Sequence, residues 1–314
     1  MTDVDGRPAP AVPAPALRTT TAPVTRPPRR RSLPRAVWTG GVAVVRGTGA
    51  ALAGRDLSIV AAGLTYFAGI ALVPWLLLGV WSATLLTSAA TVTARAAELR
   101  LLVPDAIGAP EVWDQVVAAG VAIGPLGALV ALFPASFYGE GLRRACLRVA
   151  PRPDRFTGWR ARVAVLPLVV LVPLLPLGLL ATSGVLADLA RTGGPEASVA
   201  TVVIVFHLVW LGLGAPLAWV FRIVAPGSLS LRASLVGAFT TSAVLSGFLQ
   251  GFVLFLAIPL HLGVPFGGLT VVGAVVAIGL WLFVLHVLVL VGWTATTVLD
   301  GLWRGDPTDR GADA

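Results

Sequence analysis

Residues 163–186 read VAVLPLVVLVPLLPLGLLATSGVL, 24 consecutive positions without a formal charge. A helix needs about 20 apolar residues to cross a hydrocarbon core of about 30 Å, so this stretch is long enough to span a membrane. Apolar blocks of crossing length also occupy residues 57–88, 116–137, 199–221, 235–259 and 269–299. Because a spanning segment must satisfy its own backbone, the six blocks predict an all-α, polytopic membrane helix bundle of about six transmembrane helices.

Composition points the same way. Of 314 residues 56% are apolar and 35 are glycine, with 12% charged, so about two thirds of the chain is apolar or Gly where a soluble domain has about half. Residues 1–34 are different, rich in Pro and Ala with a basic cluster at Arg26, Arg29, Arg30 and Arg31. They cannot bury enough apolar area to order themselves, which predicts a disordered cytoplasmic tail. The membrane domain is expected over residues 35–303, with a short cytoplasmic tail at 304–314. At its start Trp38, Val42, Val45 and Leu52 stand among glycines and Arg46, a pattern for an N-terminal interfacial helix. The first strong apolar block is too long for a cleavable signal peptide and is expected to stay as a span.

Every basic residue is Arg, and the net charge is +8. Twenty arginines fall in the tails and alternate loops that would share one side of the membrane, against Arg95, Arg100 and Arg191 on the other. Cytoplasmic loops carry such an excess, which places both termini in the cytoplasm of a bacterial plasma (inner) membrane. The positive charge then reads as juxtamembrane, with the lipid bilayer and anionic lipid at the Arg-rich loop 143–162 as partners, and not as a nucleic-acid surface. Cys146 is the single cysteine, so neither an internal disulfide nor a paired-thiol metal site can form.

Several motifs resemble the YihY/BrkB family of inner-membrane proteins. Asp56, then AAGLTYF over residues 61–67, then Pro74, is similar to the family pattern in the first span. GLRRACLRV over residues 141–149 resembles the family's cytoplasmic stretch after the second span. Gly237-Ala238, the Phe266-Gly267-Gly268-Leu269 turn and Gly292 continue the match in order over roughly residues 35–303. There are departures. Leu147 stands where the family often has Asn, Phe266 where a Tyr precedes the glycine, and Trp293-Thr294 where Ala-Glu often follows Gly292. The resemblance implies an integral membrane protein whose older ribonuclease label is a misassignment. The residues agree, since a metal-dependent nuclease needs clustered His, Asp or Glu and His207, His261 and His286 are far apart in the chain.

No nucleotide loop, nucleophile elbow or metal cluster is present, and no cofactor is expected. Proline-interrupted helices with a few polar groups at membrane depth suit a transporter or exporter; a structural or partner- and lipid-binding membrane protein is the alternative, and an enzyme the least supported. The candidate residues follow from depth. Asp56 fits an ion pair with Arg55 or a helix N-terminal carboxylate. Tyr66 and the kink at Pro74 are expected to line an internal cavity. Glu140 lies three and four residues before Arg143 and Arg144, the spacing of a helical salt bridge. His207 suits a neutral ring bonded to a carbonyl, whereas His286 with Gln250 forms an expected polar seam, for packing or for proton coupling. Gly247/Gly251 and Gly120/Gly124 have the spacing of close helix approach, for packing first and a homo-oligomer interface second.

Overall fold

The computed structural model describes residues 33–103, 108–150, 159–171, 174–256, 258 and 262–305. The expectations for the tails beyond these limits, for His261, and for Arg152 and Arg155 of the Arg-rich loop lie outside the described residues. Two units are formed, Met1–Gly40 and Gly41–Ala314; in the first, residues 33–40 are helical, and everything below concerns the second.

The described residues form α-helices and short turns, with no strand among them. They are α1 (Leu33–Leu52), α2 (Leu57–Leu86), α3 (Ala89–Leu99), α4 (Ala109–Ala122) and α5 (Gly124–Val149). After these come α6 (Trp159–Val165), α7 (Leu168–Leu171), α8 (Leu174–Thr192), α9 (Gly194–Trp219), α10 (Leu231–Leu256) and α11 (Thr270–Arg304). A wider π-type turn, Val220–Val224, ends α9. The chain is thus a membrane helix bundle. Alone, α2, α9 with its π turn, α10 and α11 are long and apolar enough to cross a membrane, and the α4–α5 pair adds a fifth span if taken as one.

The expected six is therefore approximate, and two blocks explain why. The second does not run straight: the axis turns by 119° between α4 and α5. Gly124 sits at φ +63°, a conformation that a side chain would strain, and Pro125 contributes no amide to the helix. The third block, quoted above as one span, is broken between α6 and α7, because Pro167 cannot continue α6. Its broken end is nevertheless satisfied. The Ala164 carbonyl accepts the Trp219 indole N–H of α9 at 2.8 Å, and Leu166 N–H donates to Val163 at 3.0 Å, as a non-helical backbone inside protein requires.

Small residues and polar side chains hold the helices together. Along α2 and α5, Arg55 donates to the Arg148 carbonyl at 3.2 Å, Gly141 makes room for the Phe67 ring, and the Trp75 indole donates to the Ala135 carbonyl at 3.2 Å. Gly120 of α4 lies against Val80 of α2. Between α9 and α10 runs a ladder: Ser242, Ser246 and Gln250, each four residues on, donate to the carbonyls of Trp210, Phe206 and Val202 at 2.5, 2.8 and 2.8 Å. Trp210 donates in return to the Phe239 carbonyl at 2.8 Å. Between α10 and α11 the contact is reciprocal. Gly237 faces the Thr296 side chain and Gly292 faces the Thr241 side chain, while each Thr hydroxyl donates to the carbonyl of the Gly four residues before it, both at 2.7 Å.

Interhelical hydrogen bonds of this kind are worth about 0.6 kcal/mol each in membranes, because the separated helices find other partners. Ser246→Ala and Gln250→Leu are each expected to lower the unfolding free energy of the purified protein by about that much, read from denaturation in mixed micelles. A loss three times larger for Gln250→Leu would give that residue a role beyond the ladder.

Candidate functional site

A half-open pocket of about 350 Å³ lies between α2, α5, α7, α9, α10 and α11. Its wall is almost entirely hydrocarbon, including Ala68, Ala71, Leu142, Leu217 and Leu249, with Pro216 of α9 where that helix loses an amide. The polar lining side chains are Trp75, Tyr138 and His286. The Trp75 N–H is spent on Ala135. Thr65 Oγ1 lies 2.9 Å from the Ala61 carbonyl, to which its hydroxyl can donate, and 3.0 Å from His286 Nδ1. With the hydroxyl hydrogen on Ala61, His286 Nδ1 carries the proton and Nε2 is the accepting nitrogen of that tautomer. The Tyr138 and His286 rings lie 5.8 Å apart, so the cavity has one polar corner, with an acceptor and a phenol.

The expected residues fall in and out of this site. His286 belongs to it, buried and bridging α11 to α2. Gln250 does not join it: Leu249 lines the cavity, and the next residue, about 100° further round α10, turns to α9. The expected His286–Gln250 seam is therefore replaced by a His286–Thr65 pair. Tyr66 is also corrected. It is 69% exposed on the outer surface of the bundle and absent from the cavity wall, because Thr65 takes the inward position and its neighbour points away. Pro74 stands within α2 directly before Trp75 and is likewise outside the wall. His207 bonds the Val203 carbonyl at 2.8 Å, the expected local contact.

Asp56 is the N-terminal cap of α2. Its carboxylate accepts from the Ser58 hydroxyl at 2.7 Å and the Ile59 amide at 3.2 Å, and these bonds, the first foremost, hold its pKa below the ordinary carboxylate value. At the same end, Glu140 is buried with 7% exposure. It pairs with Arg144, as its spacing predicted, and with Arg162 of α6 at 2.5 Å. Arg143, the other expected partner, donates instead to the Val224 carbonyl at 2.7 Å. Phe137 lies under the Arg162 guanidinium at 4.3 Å. At the opposite end Glu98 accepts from Ser183 of α8 at 2.5 Å and pairs with Arg95 at 3.2 Å; the Ser183 bond, more than Arg95, lowers its pKa.

Sequence reasoning passed over four of these residues. Thr65 stood only as one letter of the AAGLTYF motif, Trp75 carries no signal apart from lying in an apolar block, and Tyr138 falls just past the end of one. Asp300 gave one that went unread, an acid near the end of the last span: it is buried, accepts from the Ser230 amide at 3.1 Å and pairs with Arg304 at 2.8 Å. Gly124, Gly247 and Gly251 face open space, so of the two spaced glycine pairs only Gly120 makes a close approach. Trp293, where the resemblance shows Ala, is fully buried, and its indole N–H is the one buried side-chain polar atom without a partner among the described residues. Among those residues, no three His, Cys, Asp or Glu side chains assemble into a metal-binding group.

A protein-family model described as Virulence factor BrkB matches residues 50–313. No curated protein and no solved structure matches the chain.

Proposed function

The chain belongs to the virulence factor BrkB family, and from that premise we propose that it is a transporter or exporter of the bacterial inner membrane, with both termini cytoplasmic. The pocket supports this reading: it lies between apolar helices, is lined by Pro216 within α9, and carries His286 and Tyr138 as polar groups. Polar groups are costly at this depth and mark substrate paths, and broken helices around an inner site are how transporters bind. The distribution of arginines supports the orientation.

A second, non-transporting reading has its own observation. Arg144, Arg148 and Arg160 are exposed at one end of the bundle around the buried acid Glu140, a cationic surface suited to anionic lipid or an acidic partner, each basic group near a membrane contributing about 1 kcal/mol.

The transport reading is tested with the purified full chain in sealed proteoliposomes, loaded in turn with the soluble and the lipid extract of a bacterial cell. Transport predicts at least one compound that leaves faster than from protein-free vesicles. His286→Phe should slow that flux by about two- to tenfold, the loss of one hydrogen bond to cargo. If no compound in either extract distinguishes protein-containing from empty vesicles, the transport reading falls and the binding reading takes its place.

A further inference from the structure

A second half-open pocket, also about 350 Å³, lies beyond the first, lined by the later half of α2 with α3, α4 and the start of α8. Trp75 lines both. On α2, Ala68, Ala71, Leu72 and Trp75 face the first cavity and Trp75, Leu76, Gly79 and Val80 the second. These residues follow one another at three- and four-residue steps, so a single helix face runs beside both. From Ala68 to Val80 that face extends about 18 Å along the helix axis.

The chemistry of the second cavity is narrow. Its wall offers only two polar side-chain groups, the indoles of Trp75 and Trp113. Both are already donated, to the carbonyls of Ala135 at 3.2 Å and Ala96 at 3.0 Å. An ion or a sugar entering would give up its water with nothing in exchange, which is costly. The first cavity is similar except for the corner made by His286 and Tyr138. Taken together, the two volumes are within the range of small-molecule sites.

We infer that the two cavities form one site for an amphiphile with a single long hydrocarbon chain, its small hydrogen-bonding head at His286 and Tyr138, its chain passing Trp75 into the second cavity. Trp75 is the partition. One hydrogen bond at the long end of the normal range holds its ring, and Pro74 directly before it frees the α2 backbone from one helical bond. The inference rests on the transport reading for the direction of movement, but binding can be tested separately.

The test uses the purified full chain in nanodiscs and a palmitic acid carrying a photoreactive diazirine on its chain, with labelled peptides mapped by mass spectrometry. We expect label on peptides containing Leu217 of the first cavity and Val117 or Leu179 of the second, reduced at least fivefold by excess unlabelled palmitic acid or farnesol. Whichever competes better assigns a straight or a branched chain. Label at the outward-facing Leu129 and Val275 should not compete. Trp75→Ala should raise competable label in the second cavity severalfold and Trp75→Phe less so; the Phe variant decides if the Ala variant does not fold. Absence of competable label in the folded wild-type protein, or label confined to the first cavity and unchanged in both Trp75 variants, overturns the inference. Flux of a soluble compound without competable label leaves transport standing and this inference fallen, whereas competable label without flux of any compound does the reverse.

Discussion

Gly292→Leu is expected to abolish recovery of folded protein. The new Cβ would lie on the Thr241 side chain, and Thr241 has little room to yield because its hydroxyl is bonded back to Gly237 at 2.7 Å. One turn away on the same interface the roles reverse, with Thr296 over Gly237, so α10 and α11 cannot slide apart at one contact without opening the other. Overpacking of a tight core costs about 3 kcal/mol at its upper end, a large part of a total stability of about 5–15 kcal/mol. Gly292→Ala should be milder, and adding Thr241→Ala should restore much of the loss by removing the colliding atoms. Size-exclusion profiles and thermal melts of the three proteins check this. Near-wild-type behaviour of Gly292→Leu would show that the two helices are not interlocked as described.

Glu140→Ala is expected to have the next largest effect, at the Arg-rich end of the bundle. Removing one partner of a buried ion pair typically costs 3–5 kcal/mol, but Arg162 is one-third and Arg144 two-thirds exposed, so both can turn to water and the loss is nearer about 2 kcal/mol. The reverse deletion, Arg162→Ala, leaves the carboxylate with Arg144 and should cost less. Because Glu140 is what ties α6 to α5 through a charge, the loss should appear first as faster hydrogen exchange or proteolysis within Trp159–Val165. Equal exchange there in wild type and Glu140→Ala would mean that packing, and not the ion pair, holds α6.

The expected bundle was legible because lipid demands long uninterrupted apolar segments, and no other chain reading accommodates six of them. Contacts close in sequence were legible too: the Asp56 cap, the Glu140–Arg144 pair and the Gly267–Gly268 turn, where φ is +66° and +90°, all depend on spacing within a few residues. What failed was the assignment of helix faces. In a soluble protein the buried face is the apolar one, but here lipid and core are both apolar, and in α2 exposed Val73 and buried Leu78 look alike. Thr65 and Tyr66 are adjacent and equally plausible as inward residues; only the packing of α11 decides that Thr65 meets His286. Gln250 was paired with the wrong helix for the same reason. Trp75 left no mark in the sequence, since its importance lies in separating two spaces that no local pattern encodes.

The bond between Ala164 and Trp219 has a consequence for how the chain enters the membrane as it is made. Ala164 of the 163–186 stretch emerges from the ribosome 55 residues before the indole that completes its broken backbone. Until Trp219 arrives, the Ala164 carbonyl has no described partner and is expensive to leave in hydrocarbon. The segment should therefore linger at the insertion machinery, in contact with protein or water, and partition into lipid only as a pair with α9. A hydropathy plot scores it as an independent passenger; its backbone makes it wait for a companion.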